Sequence, residues 1–113
     1  MARERARTAR AALAAGSPSS AISLAYYAML YAARAALSEE DRNARTHSGT
    51  WQLFRDTFVD TGRFDGDLAA EAQATQPLRE GADYDARNIS ADEAERVCAL
   101  AERFVSAIDD LFA

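Results

Sequence analysis

Arg42 and His47 are the two side chains of this 113-residue chain whose types and spacing could carry out chemistry together. His47 is the only histidine, and an imidazole with an unperturbed pKa of about 6.5 can accept and return a proton near neutral pH. A guanidinium can hold a phosphate through two parallel hydrogen bonds and stabilise charge on it. We therefore take Arg42 and His47 as candidate catalytic residues. The alternative is that His47 opens a helix and bonds only backbone or solvent, beside an arginine placed there by chance.

Helices must position these side chains, because the sequence signals along the chain are those of helix starts and ends. Gly16 is a C-terminal signal, and Pro18 suits the first turn of the next helix. Pro77 should kink or restart a later helix, and Ser90 with Glu93 forms a capping box. The predicted helices cover residues 2–15, 18–37, 48–62 and 67–85, and a fifth begins at 90.

Residues 21–37 are apolar on nearly all sides of the second predicted helix. Such a helix should be central in a bundle or buried in a subunit interface. In the third helix Trp51, Phe54 and Phe58 fall on one apolar stripe. Because Gly (5) and Pro (2) are scarce and hydrophobic residues make up 49% of the chain, we predict an all-α fold in a single domain, residues 1–113.

The charge pattern limits the classes of partner. The net charge is −5, which argues against general coating of nucleic acid. However, residues 1–55 hold eight Arg against four acids, while 56–113 hold five Arg against fourteen acids, so a local positive face in the first half remains open. One His and scattered carboxylates make no metal site, and neither a metal nor a cofactor is predicted. The single Cys98 and the lack of a membrane-spanning apolar run or signal peptide predict a cytoplasmic protein.

Three sequence elements, in this order, resemble those of a known family. The first is Ala25-Tyr26-Tyr27-Ala28-Met29, the second is Thr46-His47-Ser48-Gly49, and the third is Arg79-x-x-x-Asp83-Tyr84 before the capped fifth helix. Together they are similar to the short stand-alone branch of the HEPN superfamily, over residues 11–112.

This resemblance implies a four- to five-helix up-and-down bundle that is often a homodimer. It also implies a toxin–antitoxin setting in which a minimal nucleotidyltransferase is the partner. Active members are metal-independent ribonucleases with an Arg and a His separated by four to six residues, a spacing that Arg42 and His47 match. Those members carry the motif on a later helix, where this chain has Arg79 followed by Asp83 and Tyr84, and that departure puts nuclease activity in doubt.

A second group of side chains could bind a nucleotide or RNA. Arg79 could hold a phosphate while Tyr84 stacks or donates its hydroxyl, with Tyr27 and Tyr31 lining the same cleft. The structural alternative is that Arg79 pairs with Asp83 along one helix face and that the tyrosines are core residues.

Three functions therefore stay open. The first is an interaction module that dimerises and binds a nucleotidyltransferase, a nucleotide or RNA. The second is a ribonuclease toxin that uses Arg42 and His47. The third is a purely structural subunit.

Overall fold

The computed structural model describes the backbone of residues 2–84 and 89–113, and the side chains of residues 2–81 and 89–113. All regular structure within those ranges is helical, which confirms the predicted all-α class. The helices are α1 (Ala2–Ala14), α2 (Pro18–Glu39), α3 (His47–Phe54), α4 (Gly66–Tyr84) and α5 (Ala91–Leu111), with α3 continuing as a short π-helix (Arg55–Val59). None of the described helices is long and apolar enough to cross a membrane.

Helix α2 is the centre of the bundle, and it packs against α1, α3, α4 and α5. Alanine lets these neighbours approach closely, because its side chain is a single methyl group. The fully buried residues of α2 alternate small and large side chains, as in Ala25, Tyr26, Met29, Leu30 and Ala33. Most of the apolar segment 21–37 is thus covered within one chain, while Ala35 stays exposed.

The aromatic half of the core comes from α3 and α5. Trp51, Phe54 and Phe58 are buried along one side of α3 and its π-helical end, as the sequence predicts. The ring of Phe104 from α5 lies 5.8 Å from Trp51 and 5.7 Å from Phe54, measured between centroids. These contacts fix α3 against α5 and so determine where the first turn of α3 lies.

The course of α3 and α4 differs from the sequence prediction in two places. The predicted helix over 48–62 becomes an α-helix from His47 to Phe54 and then a π-helix, in which the Asp60 amide donates to the Arg55 carbonyl at 2.8 Å. Helix α4 does not restart at Pro77 but runs continuously through it. Pro77 lies on the exposed side of α4, where the loss of one backbone donor leaves packing against the core unaffected.

Helix α5 begins as the sequence predicts. The Ser90 hydroxyl accepts the Glu93 amide at 3.0 Å, which is one half of the predicted capping box. The Glu93 carboxylate lies 3.4 Å from Arg96. Helix α1 is bound to the outside of α5 by ion pairs, in which Arg10 contacts Glu102 at 2.7 Å. These pairs are exposed, so each contributes little to stability.

The enclosure of α2 can be tested with two alanines on the same helix. Ala33 is fully buried, whereas Ala35 is exposed. We expect Ala33→Leu to lower the free energy of unfolding in urea by about 1–3 kcal/mol, because the core has no room for three more carbons. The matched control Ala35→Leu should change it by less than about 0.5 kcal/mol. Equal effects of the two substitutions would contradict a fully covered α2.

Candidate functional site

His47 is the first residue of α3, and the segment before it forms a helix cap. The Thr46 hydroxyl accepts the Gly49 amide at 2.9 Å, and the Thr50 hydroxyl donates to the Thr46 carbonyl at 2.8 Å. A Cβ on Gly49 would lie 2.7 Å from the Thr46 hydroxyl, so this position requires glycine. The Thr46-His47-Ser48-Gly49 element therefore fixes the backbone from which His47 projects.

A chain of hydrogen bonds leads from the core to the imidazole of His47. The Trp51 indole Nε1 donates to the Tyr26 hydroxyl at 3.2 Å, and this hydroxyl lies 3.3 Å from His47 Nδ1. Tyr26 is fully buried and Trp51 is 1% exposed, so water does not compete for these groups. Tyr26 from α2 and Trp51 from α3 thus hold the His47 imidazole in one orientation.

The same chain selects one tautomer of His47. Burial raises the pKa of Tyr26, so its hydroxyl keeps its proton at neutral pH. Trp51 already donates to this oxygen, and His47 Nδ1 is the acceptor within reach of the phenol proton among the described residues. The phenol then donates to Nδ1, and the proton of a neutral imidazole lies on Nε2.

Arg79 of α4 completes the site from the opposite side. Its guanidinium donates to the Tyr27 hydroxyl at 3.2 Å and lies 5.3 Å and 5.6 Å from the ring centroids of Tyr27 and Tyr26. The Tyr27 ring is in turn 6.0 Å from the His47 ring, edge to face. We call Tyr26, Tyr27, His47 and Arg79 the Tyr–His–Arg cluster.

The electrostatic environment keeps His47 neutral. Burial lowers the pKa of His47 below its usual value of 6.5, and the positive charges of Arg34 and Arg79 lower it further, while Glu80 opposes them. At neutral pH the imidazole is therefore uncharged, and it gains a proton only in more acidic solution. A neutral imidazole beside two guanidiniums can donate a hydrogen bond to a ligand whose negative charge the guanidiniums attract.

The predicted residues do not all meet in this cluster. Arg42 is exposed, and its guanidinium donates to the Thr57 hydroxyl at 3.0 Å; no described contact joins it to His47. Tyr31 lies next to Tyr27, with ring centroids 6.1 Å apart, and carries the Arg5 guanidinium over its face at 4.2 Å. The predicted roles of Asp83 and Tyr84 concern side chains outside those that the structure describes.

Two members of the site were missed by sequence reasoning. Tyr26 resembles its neighbours Tyr27 and Tyr31 in sequence, and only the fold identifies it as the contact of His47. Arg34 donates to Thr50 at 3.4 Å and helps to keep His47 neutral. The sequence could have indicated Arg34, because it is the only charged residue in the apolar segment 21–37.

The chemical groups of the Tyr–His–Arg cluster indicate what kind of ligand it could hold. No group of three or more metal-binding side chains lies together in the portion of the chain with described side chains. The cluster offers hydrogen-bond donors, one imidazole and aromatic faces. These groups are suited to an anionic ligand that carries rings.

Comparison with known proteins identifies the family. The model of the HEPN domain matches residues 1–111. The chain belongs to the HEPN family. This membership agrees with the resemblance carried by the Tyr26-Tyr27, Thr46-His47 and Arg79 elements.

This HEPN chain is similar to proteins of Methanocaldococcus jannaschii and Archaeoglobus fulgidus. A Methanocaldococcus jannaschii protein named "Putative toxin" is 36% identical over 76 residues, which are 66% of this chain and 52% of that protein. A second protein of that organism with the same designation is 32% identical over 78% of this chain and 66% of its own length. An Archaeoglobus fulgidus UPF0332 protein is 38% identical over 74% of this chain and 66% of its own length. The matched region thus spans about half to two thirds of these relatives.

The tautomer of His47 can be measured directly, because the HEPN chain contains one histidine. We expect two-bond ¹H–¹⁵N spectra to show the Nε2–H tautomer and an imidazole pKa below about 6.5. Tyr26→Phe removes the donor to Nδ1 and should yield a mixture of both tautomers. Tyr31→Phe, on the same helix, is the control and should leave the spectrum unchanged. An Nδ1–H tautomer in the wild type would contradict the proposed hydrogen-bond chain.

Proposed function

We propose that this HEPN chain works in a toxin–antitoxin system and binds single-stranded RNA through the Tyr–His–Arg cluster. The toxin setting is supported by family membership and by the toxin names of two relatives. As part of the same proposal, the chain acts as a homodimer and beside a minimal nucleotidyltransferase.

The observation that carries the RNA proposal is the convergence of one imidazole, two phenols and one guanidinium from three helices. The Arg79 guanidinium can bind a backbone phosphate, since it is forked and always charged. Tyr27 is half-buried, so part of its ring is open to stack on a base. His47 can donate from Nε2 to a phosphate oxygen or a 2′-hydroxyl.

RNA binding can be tested by fluorescence anisotropy with a 2′-O-methyl single-stranded oligonucleotide, which cannot be cleaved through its 2′-hydroxyl. We expect Arg79→Gln to weaken binding about tenfold to a hundredfold, as for loss of a charged hydrogen bond to phosphate. Arg103→Gln is the matched control, because Arg103 is exposed and lies 3.7 Å from Glu71 on the outer face. Equal affinities of the two variants, with thermal unfolding at the wild-type temperature, would exclude the cluster as the binding site.

A second candidate function is RNA cleavage, since His47 and Arg79 are the types of side chain that metal-independent cleavage requires. Cleavage by the 2′-hydroxyl needs a group that exchanges protons near neutral pH and a cation beside the phosphate, and no metal is required. His47 supplies the first requirement. In this structure Arg79 shares Tyr27 with His47, whereas Arg42 contacts Thr57, so Arg79 is the better placed cation.

Cleavage can be tested with unmodified single-stranded RNA in the presence of a chelator. We expect His47→Gln to abolish cleavage, and Arg79→Gln to reduce it more than Arg42→Gln does. If Arg42→Gln reduces cleavage more than Arg79→Gln does, the result supports the sequence prediction that Arg42 acts with His47. If folded wild-type protein binds RNA and leaves it intact, the chain is a binding module and not a ribonuclease.

A further inference from the structure

Two sets of arginines in the bundle differ in the kind of partner they have. On the outer faces, guanidiniums pair with carboxylates; these are Arg3, Arg10, Arg63, Arg96 and Arg103. Near the start of α3 the partners are hydroxyl groups instead. Arg34 donates to Thr50 at 3.4 Å and Arg42 donates to Thr57 at 3.0 Å, and neither has a carboxylate partner among the described residues. Their positive charges are held in place but are not neutralised.

Arg34 and Arg42 both line the same pocket. It has a volume of about 310 Å³ and lies between the C-terminal end of α2 and the connection to α3. Ser38 and Asn43 add a hydroxyl and an amide to its wall, and Leu37 adds an apolar surface. The pocket therefore presents several donors around two cations in a space that can hold a phosphate group.

We propose that this pocket binds a second backbone phosphate of the RNA strand, with Arg34 and Arg42 as its ligands. This inference rests on the proposed RNA-binding function, and it extends the binding surface from the Tyr–His–Arg cluster to the α2–α3 connection. Arg42 then acts as a phosphate ligand and not as the partner of His47 in proton transfer.

The pocket and the cluster are joined at the first turn of α3. Arg34 bonds to the Thr50 hydroxyl, and this hydroxyl donates to the Thr46 carbonyl, directly before His47. A strand that places one phosphate against Arg79 can thus continue past His47 towards Arg34. Binding two phosphates instead of one makes affinity depend more steeply on salt, because each neutralised phosphate releases counterions.

One carboxylate also lines the pocket. Asp41 lies in the wall, with its backbone in the left-handed region at φ 56°. Among the described residues no guanidinium forms an ion pair with Asp41, so its carboxylate offsets only part of the positive charge of Arg34 and Arg42. Two guanidiniums against one carboxylate leave a net positive wall, which favours a phosphodiester with its single negative charge.

The test is the salt dependence of binding to the 2′-O-methyl oligonucleotide. For a single strand, log K falls with log salt by about 0.7 per phosphate contact, so the double variant Arg34→Gln/Arg42→Gln should reduce the slope by about 0.7. Each single variant should reduce the slope by a part of that amount. Glutamine retains a donor for Thr50 or Thr57, which limits any effect on folding. Arg96→Gln has the same charge change on α5, where Arg96 pairs with Glu93, and should leave the slope unchanged.

The outcomes separate this inference from the proposed function. If RNA binds and the slopes of the Arg34 and Arg42 variants equal that of Arg96→Gln, the pocket is not a phosphate site, although RNA binding stands. If wild-type protein does not bind the oligonucleotide, the RNA proposal fails. The pocket is then tested by titrating inorganic phosphate and recording the arginine Nε–H resonances. Saturable shifts at Arg34 and Arg42 with phosphate but not with chloride would support it, and unshifted signals would overturn it.

Discussion

Helix α2 is apolar and must be covered on nearly every side. The packing of the other helices against α2 also creates the candidate site. Small residues such as Ala25 and Ala33 let α1, α4 and α5 approach closely, so the larger side chains of α2 interlock with them at fixed positions. One of these is Tyr26, whose ring is buried while its hydroxyl meets Trp51 and His47. The burial that stabilises the bundle thus also places a polar group at the one point where an imidazole can use it.

Local signals in the sequence predicted where most helices begin and end, but not which helices pack together or which side chains meet. Gly16, Pro18 and Ser90 act within one or two turns, so the boundaries they mark agree with the structure. The continuous path of α4 through Pro77 depends on tertiary packing, which outweighs the local penalty of proline. The π-helical end of α3 also has no local signal that we can identify.

The candidate site was only partly predictable for the same reason. The five-residue spacing of Arg42 and His47 made them a plausible pair, yet the Thr57 hydroxyl fixes Arg42 in a different direction. Arg79 reaches the Tyr27 hydroxyl, and through Tyr27 the surroundings of His47, because α4 packs on α2, a relation between distant parts of the chain. The sequence did contain a signal for Arg34, because its charge lies within the otherwise apolar segment 21–37.

The tautomer of His47 limits the chemistry that the cluster can perform. With Nδ1 occupied by the Tyr26 hydroxyl, the exposed side of the neutral imidazole offers a proton at Nε2 and cannot accept one there. In this state His47 can donate a hydrogen bond to a phosphate oxygen, but proton transfer to a leaving group would first require protonation of the ring, and removal of a proton from a 2′-hydroxyl would require the Tyr26 bond to rearrange. Because Tyr26 is fully buried and also bonded to Trp51, that rearrangement is opposed by the core itself. The resting geometry therefore favours binding over cleavage, and any cleavage by this chain would depend on RNA to alter the hydrogen bond at Nδ1.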